Sequence, residues 1–127
     1  MKVATARVYD QPEPGDFWVL VDRLWPRGMA KQDAPHQLWL KDVAPSSALR
    51  KWYGHRPVLF DEFARRYESE LSEAPARDAL VTLTSLARQE HLVLVTATKD
   101  LEHSGAEVLR RVIGRRGDGA QTGPGRG

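Results

Sequence analysis

The chain predicts a small α/β fold, a three-layer sandwich in which a short, mostly parallel sheet is flanked by helices. Two observations carry this expectation. Residues 17–21 (Phe-Trp-Val-Leu-Val) and 92–95 (Leu-Val-Leu-Val) are apolar at odd and even positions alike, as strands covered on both faces require. The segments between them carry helical spacing, which places helices against both faces of such a sheet. At 127 residues, 41% apolar, the chain suits one domain that buries about two-thirds of the surface its unfolded form exposes.

Residues 3–9 read as a modest first strand, followed by a turn-rich stretch at 10–16 (Asp-Gln-Pro-Glu-Pro-Gly-Asp). The connection to the second strand is too short for an ordinary parallel crossover of a dozen or more residues, so the pairing of these two strands stays open. Residues 38–43 predict a short helix. Pro45-Ser46-Ser47 then supplies a break and an N-cap for a helix to about Tyr53, with Gly54 as its stop. From Pro57 a further helix places Leu59, Phe60, Phe63, Tyr67 and Leu71 on one buried stripe. Asp61 and Arg65, Glu62 and Arg66, and Arg66 and Glu70 stand four apart on its solvated side. Residues 76–89 predict a helix that buries Ala79, Leu80, Leu83, Leu86 and Ala87. A last helix presents Ala106, Leu109, Val112 and Ile113.

Residues 114–127 hold six Gly, three Arg and one Asp and so account for the whole net charge of +2. Residues 1–113 are therefore expected to form one formally neutral domain, and 114–127 a flexible Gly/Arg tail with too few apolar groups to offset its ordering entropy. The absence of cysteine removes disulfides, thiolate zinc sites and a thiol nucleophile. The longest apolar run, residues 17–21, falls far short of the roughly 20 residues that span a bilayer, and no signal-peptide core opens the chain. A cytoplasmic monomer or homodimer without membrane contact is the expectation.

In open α/β sheets, ligands bind outside the carboxyl ends of the strands. The rule selects Tyr9-Asp10, the run from Asp22 to Gly28, and the run from Thr96 to His103. Asp22 and Arg23 stand where an apolar strand stops, and Pro26 and Gly28 impose a turn that aims Trp25 and Arg27. An arginine fork matches phosphate or carboxylate, and a Trp face stacks on a ring. Alternatively, Asp22 and Arg23 pin the loop while Trp25 and Trp39 are core. Ser46 opens a helix that also carries Arg50 and Lys51, a grouping that suits an anion and equally a plain cap with exposed basic residues. His103, after Lys99, Asp100 and Glu102, is placed for proton exchange with Asp22 or Asp100 orienting it, and His55 is a second candidate imidazole. Neither a Walker loop, a Gly-x-Gly-x-x-Gly turn nor a zinc-ligand spacing occurs, so no cofactor and no metal is assigned.

The runs Leu20-Val21-Asp22-Arg23-Leu24-Trp25-Pro26-Arg27-Gly28, Trp39-Leu40-Lys41-Asp42-Val43-Ala44-Pro45-Ser46, Leu49-Arg50-Lys51-Trp52-Tyr53-Gly54-His55 and Lys99-Asp100-Leu101-Glu102-His103 resemble the YeaO-like branch of the domain-of-unknown-function 488 family. The resemblance spans residues 7–113. It implies a small α/β domain with a parallel core and the Asp22 strand central, and it brings no established activity. Longer relatives often carry Cys-His-Arg where this chain has Glu102-His103-Ser104, and this branch's usual Asn after the histidine is replaced by Ser104-Gly105.

These residues support two functional readings. In the first, an enzyme acts on a phosphate-bearing, nucleotide-like or nucleic-acid-derived substrate. Asp22, Lys99 and His103 form its catalytic set, and Arg23, Trp25, Arg27, Ser46, Arg50, His55 and Asp100 bind the substrate. In the second, the same edge binds a nucleotide, a nucleic-acid end or an acidic protein segment without chemistry. A protein-interaction domain in which the charges only lock loops is the third alternative.

Overall fold

The computed structural model describes residues 2–122 and is an α/β domain built on a four-stranded sheet. The strands are β1 (Val3–Arg7), β2 (Asp16–Leu20), β3 (Leu38–Trp39) and β4 (His91–Thr96). The helices are α1 (Ser47–Tyr53), α2 (Phe60–Glu70), α3 (Ala76–Gln89) and α4 (Gly105–Thr122). The order across the sheet is β1-β4-β2-β3, and every pair is parallel.

This order resolves the first connection. Residues 8–15 do not join neighbours: β4 lies between β1 and β2, pairing Leu92 with both Val3 and Phe17. The loop only has to step over one strand, without a crossover helix. Val8 N–H bonds to Thr96 O at 2.9 Å and Val21 N–H to Val95 O at 3.0 Å, which carries the ladder to the carboxyl edge.

The two faces of the sheet are covered unequally. Val19, Val21, Leu92 and Leu94 belong to a core shared with all four helices, including the α2 stripe Phe60, Phe63, Tyr67 and Leu71. Val8, Trp18, Val93 and Val95 form a separate cluster with Ala4, Ala6, Met29 and Ala97, none of them α-helical. The expected second helical layer is thus replaced by loop. Trp18 makes this work: its own bulk fills the face, and its indole N–H reaches Asp16 Oδ2 at 3.3 Å.

Three further expectations are corrected. Residues 38–43 are not one helix: Leu38 and Trp39 pair with Val19 and Leu20 as β3, and only Lys41–Val43 makes a 3-10 turn. On α2, Glu62 takes both Arg65 and Arg66, Asp61 takes neither, and Glu70 turns to Ser46. The boundary at 113/114 falls inside α4, which runs on to Thr122 while Arg115 bonds to Glu68 of α2 at 2.8 Å. Residues 123–127 of the expected tail lie outside the described residues.

Candidate functional site

Parallel strands bring their carboxyl ends to one edge, and there the chain after β2 meets the chain after β4. Asp22 is the junction. Its Oδ1 accepts from the Thr96 hydroxyl at 2.7 Å, its Oδ2 accepts from Ala97 N–H at 2.9 Å, and its carbonyl accepts from the Trp39 indole at 2.7 Å. Burial pushes the Asp22 carboxyl above the usual range, and the two donors and the nearby Arg50 charge offset only part of that push.

Beside this junction lies a cavity of about 560 Å³. Tyr53, Phe63 and Tyr67 contribute aromatic wall. Tyr53 stacks on Phe63 with ring centroids 4.2 Å apart, and fully buried Tyr67 donates its hydroxyl to Val43 O. The polar wall is cationic: Arg23, Arg27, Arg50 and Lys51 line it with His55 and His103, and among the described residues Asp22 is its single carboxylate. Among the described residues, no carboxylate lies within ion-pair distance of any of those four cations.

Local sequence positions each group. The Arg23 guanidinium donates through Nη2 to Ala44 O at 3.1 Å, while its buried Nε has no protein partner. Arg27 follows Pro26 and precedes Gly28, whose φ of 78° sets the turn. Arg50 and Lys51 project from α1. That helix ends at Gly54 in left-handed conformation, and His55 follows at φ 55°, an uncommon state for a side-chain-bearing residue that swings it to the cavity. His103 is held by Asp100, with Nδ1 and Oδ2 2.7 Å apart, and by the Phe60 ring at 5.3 Å and 82°. A carboxylate partner requires the proton on Nδ1, so in the neutral ring Nε2 is left as acceptor.

Trp25 also lines the cavity. Its indole N–H donates to Met29 O at 2.7 Å, and its ring meets those of Trp39 and His36 edge-on. The stacking and core readings therefore meet in one residue. Burial lowers the pKa of His36.

Three of the expected site residues do not line the cavity. The anion at the start of α1 is the chain's own Glu70: Ser46 N–H donates to Oε1 at 2.8 Å and its hydroxyl to Oε2 at 2.5 Å, while Ser46 Oγ caps Leu49 N–H. Asp100 bonds to His103 and its charge adds to the burial that raises the pKa of Tyr53, and Lys99 is exposed. Sequence reasoning missed Tyr53, whose hydroxyl donates to His103 O at 2.7 Å, and grouped Lys51 with Arg50 at the start of α1 without singling it out as a binding residue. Adjacency to Arg50 was the available signal for Lys51. Ser104 accepts from Glu107 N–H at 3.2 Å and donates to Leu101 O, capping α4. Ser104 thus has a local structural reason as the cap, whereas a Cβ at Gly105 would stand at an ordinary contact distance of 3.4 Å from the Tyr67 ring.

A family model described as the inactive DUF488-N3 subclade, DUF488-N3i, matches residues 2–124. The chain belongs to this family. The chain is 45% identical over 116 residues to the uncharacterized protein Rv3073c of Mycobacterium tuberculosis, covering 91% of this chain and 96% of that one. It is 34% identical over 110 residues to the uncharacterized protein YeaO of Escherichia coli, covering 86% and 94%. No solved structure matches. No helix among the described residues is long and apolar enough to cross a membrane.

Proposed function

We propose that this DUF488-N3i protein is a non-catalytic binding module for a phosphate-bearing, nucleotide-like small molecule held at the carboxyl edge of the sheet. One observation carries the reading: four cations line a single concave cavity without a carboxylate partner among the described residues. Unpaired cations in a cleft repel one another and are stabilised by an anion that enters it. A volume of about 560 Å³ suits a small molecule rather than a duplex. The family's description as inactive supports binding without turnover. So does the engagement of the Thr96 and Ser104 hydroxyls in bonds to the protein.

Thermal unfolding of the purified chain against inorganic phosphate, sugar phosphates, nucleotides and short oligonucleotides tests this. A ligand at about 100 times its Kd adds roughly 2.7 kcal/mol of stability. The shift is expected from phosphate-bearing small molecules and is expected to vanish in Arg50→Ala. A shift that survives both Arg27→Ala and Arg50→Ala overturns the assignment.

The enzyme reading keeps one specific support, the Asp100-oriented imidazole of His103 at the cavity wall. His103→Ala separates the two. The binding module retains affinity within about threefold, because the phosphate is assigned to Arg23, Arg27, Arg50 and Lys51 rather than to the imidazole. An enzyme would lose its turnover of the bound compound.

A further inference from the structure

Within a wall of cations, Asp22 is the one group that a bare phosphate would have to avoid. Two anions side by side in a partly desolvated cleft repel strongly, so an unpaired carboxylate there works against every ligand that is only an anion. Asp22 is nevertheless held firmly in place, by the Thr96 hydroxyl on Oδ1 and the Ala97 N–H on Oδ2. An ionised carboxylate offers about four acceptor positions, and these two donors leave about two of them. Arg50 bears on Asp22 through its charge, without a hydrogen bond or an ion-pair contact. The cavity therefore offers acceptor capacity at the end of β2 and cationic donors around it. Its complement is a molecule with an anionic group and a separate hydrogen-bond donor.

We infer that the ligand is a phosphate ester bearing free sugar hydroxyls, and that Asp22 accepts from a hydroxyl while Arg23, Arg27, Arg50 and Lys51 face the phosphate. The inference rests on the phosphate reading above and adds the part of the ligand that is not phosphate. Sugar hydroxyls are natural donors to an acidic side chain at the carboxyl end of a parallel strand. The same chemistry is present in a free pentose phosphate and in a ribonucleotide. The volume of about 560 Å³ admits either.

Titration calorimetry of the full chain at fixed salt tests it with four probes: ribose 5-phosphate, adenosine 5′-monophosphate, methyl phosphate and 2′,3′-dideoxyadenosine 5′-monophosphate. The two hydroxyl-bearing esters are expected to bind about 10- to 100-fold tighter than their hydroxyl-free counterparts, the range for one hydrogen bond to a charged group. Asp22→Asn is expected to narrow that preference to about threefold or less while phosphate binding persists. The comparison of ligands on the unaltered chain stands even where the variant folds poorly. Equal affinity for all four probes overturns the role of Asp22 and leaves the phosphate cavity intact. Binding of none of them overturns both readings. Adenosine 5′-monophosphate binding tighter than ribose 5-phosphate identifies the nucleotide source, and equal affinity for those two alone identifies the sugar phosphate.

Discussion

Arginines occur on two parts of this molecule and are treated differently on each. On the outer faces of α2 and α4 they are matched. Glu62 takes Arg65 and Arg66, Glu107 takes Arg110 and Arg111, and Glu68 takes Arg115. Bonds from Arg66 and Arg65 hold the Glu62 carboxyl below its usual range, and those from Arg110 and Arg111 do the same for Glu107. Around the cavity Arg23, Arg27 and Arg50 have no such partner among the described residues, and the one carboxylate present is pushed the other way by burial. Helical spacing alone produces the first pattern, since residues three and four apart meet on one face. The second arises from chain segments far apart in sequence, and it leaves positive charge concentrated in a concavity. Charge that is neutralised within the fold contributes to solubility; charge left open in a cleft is a means of recognition.

The largest effect expected from breaking this contrast is on affinity. Arg27→Ala with Arg50→Ala removes two exposed cations and is predicted to weaken adenosine 5′-monophosphate about 100- to 10,000-fold by calorimetry, at about 1.5–3 kcal/mol for each of the two charged hydrogen bonds. The same double variant is predicted to unfold within about 0.5 kcal/mol of the unaltered chain, because neither side chain is buried.

Acid sharpens the contrast from the other side. The folded-state pKa of Asp22 is raised, so below it the group is neutral, no longer repels phosphate and accepts a hydroxyl more weakly. The preference for adenosine 5′-monophosphate over methyl phosphate is predicted to shrink by about tenfold as pH falls through that value. Stability carries the matching sign. The contribution of Asp22 is present below its ordinary unfolded value near about 4 and is lost as pH rises through the raised folded value. Urea unfolding at a series of pH values should therefore show Asp22→Asn gaining on the unaltered chain as pH rises across that window.

Two smaller effects probe the matched side. Ser46→Ala removes a cap and the partner of Glu70, and a loss of about 1–2 kcal/mol in urea unfolding is expected with ligand affinity unchanged. Glu107→Gln loosens Arg110 and Arg111 on an exposed face, at a cost of about 1 kcal/mol or less. No new phosphate binding is expected from it; a second phosphate site in calorimetry would show that concavity matters less than unpaired charge.

Much of the fold was legible because its signals are local. Apolar residues at every position of 92–95 announced the buried β4, and the spacing of Phe60, Phe63, Tyr67 and Leu71 announced α2. Residues 38–43 misled because a short apolar run fits a strand or a helix equally, and only the register with Val19 and Leu20 decides. The end of α4 was hidden for a similar reason, since the Arg115–Glu68 bond joins residues 47 apart. Asp22, Arg23, Trp25 and Arg27 stood out as a charged and aromatic turn directly after a buried strand. Ser46 stood out too, yet Glu70, 24 residues away, meets it instead. Tyr67 read as core at its helical spacing and Tyr53 only as a helix end, and nothing local marks which such residue also borders a cavity.

The seating of Glu70 on Ser46 has a kinetic consequence. Backbone N–H groups at a helix start grip phosphate in a fixed geometry, and here that start is already filled by a carboxylate. Of the cations that remain, Arg27, Arg50 and Lys51 are exposed on long, jointed side chains, which on the proposed reading attract an anion from a distance but hold it in several alternative poses. If the proposed phosphate reading holds, capture and release are both expected to be fast, a balance suited to a protein that follows the concentration of its ligand rather than storing it.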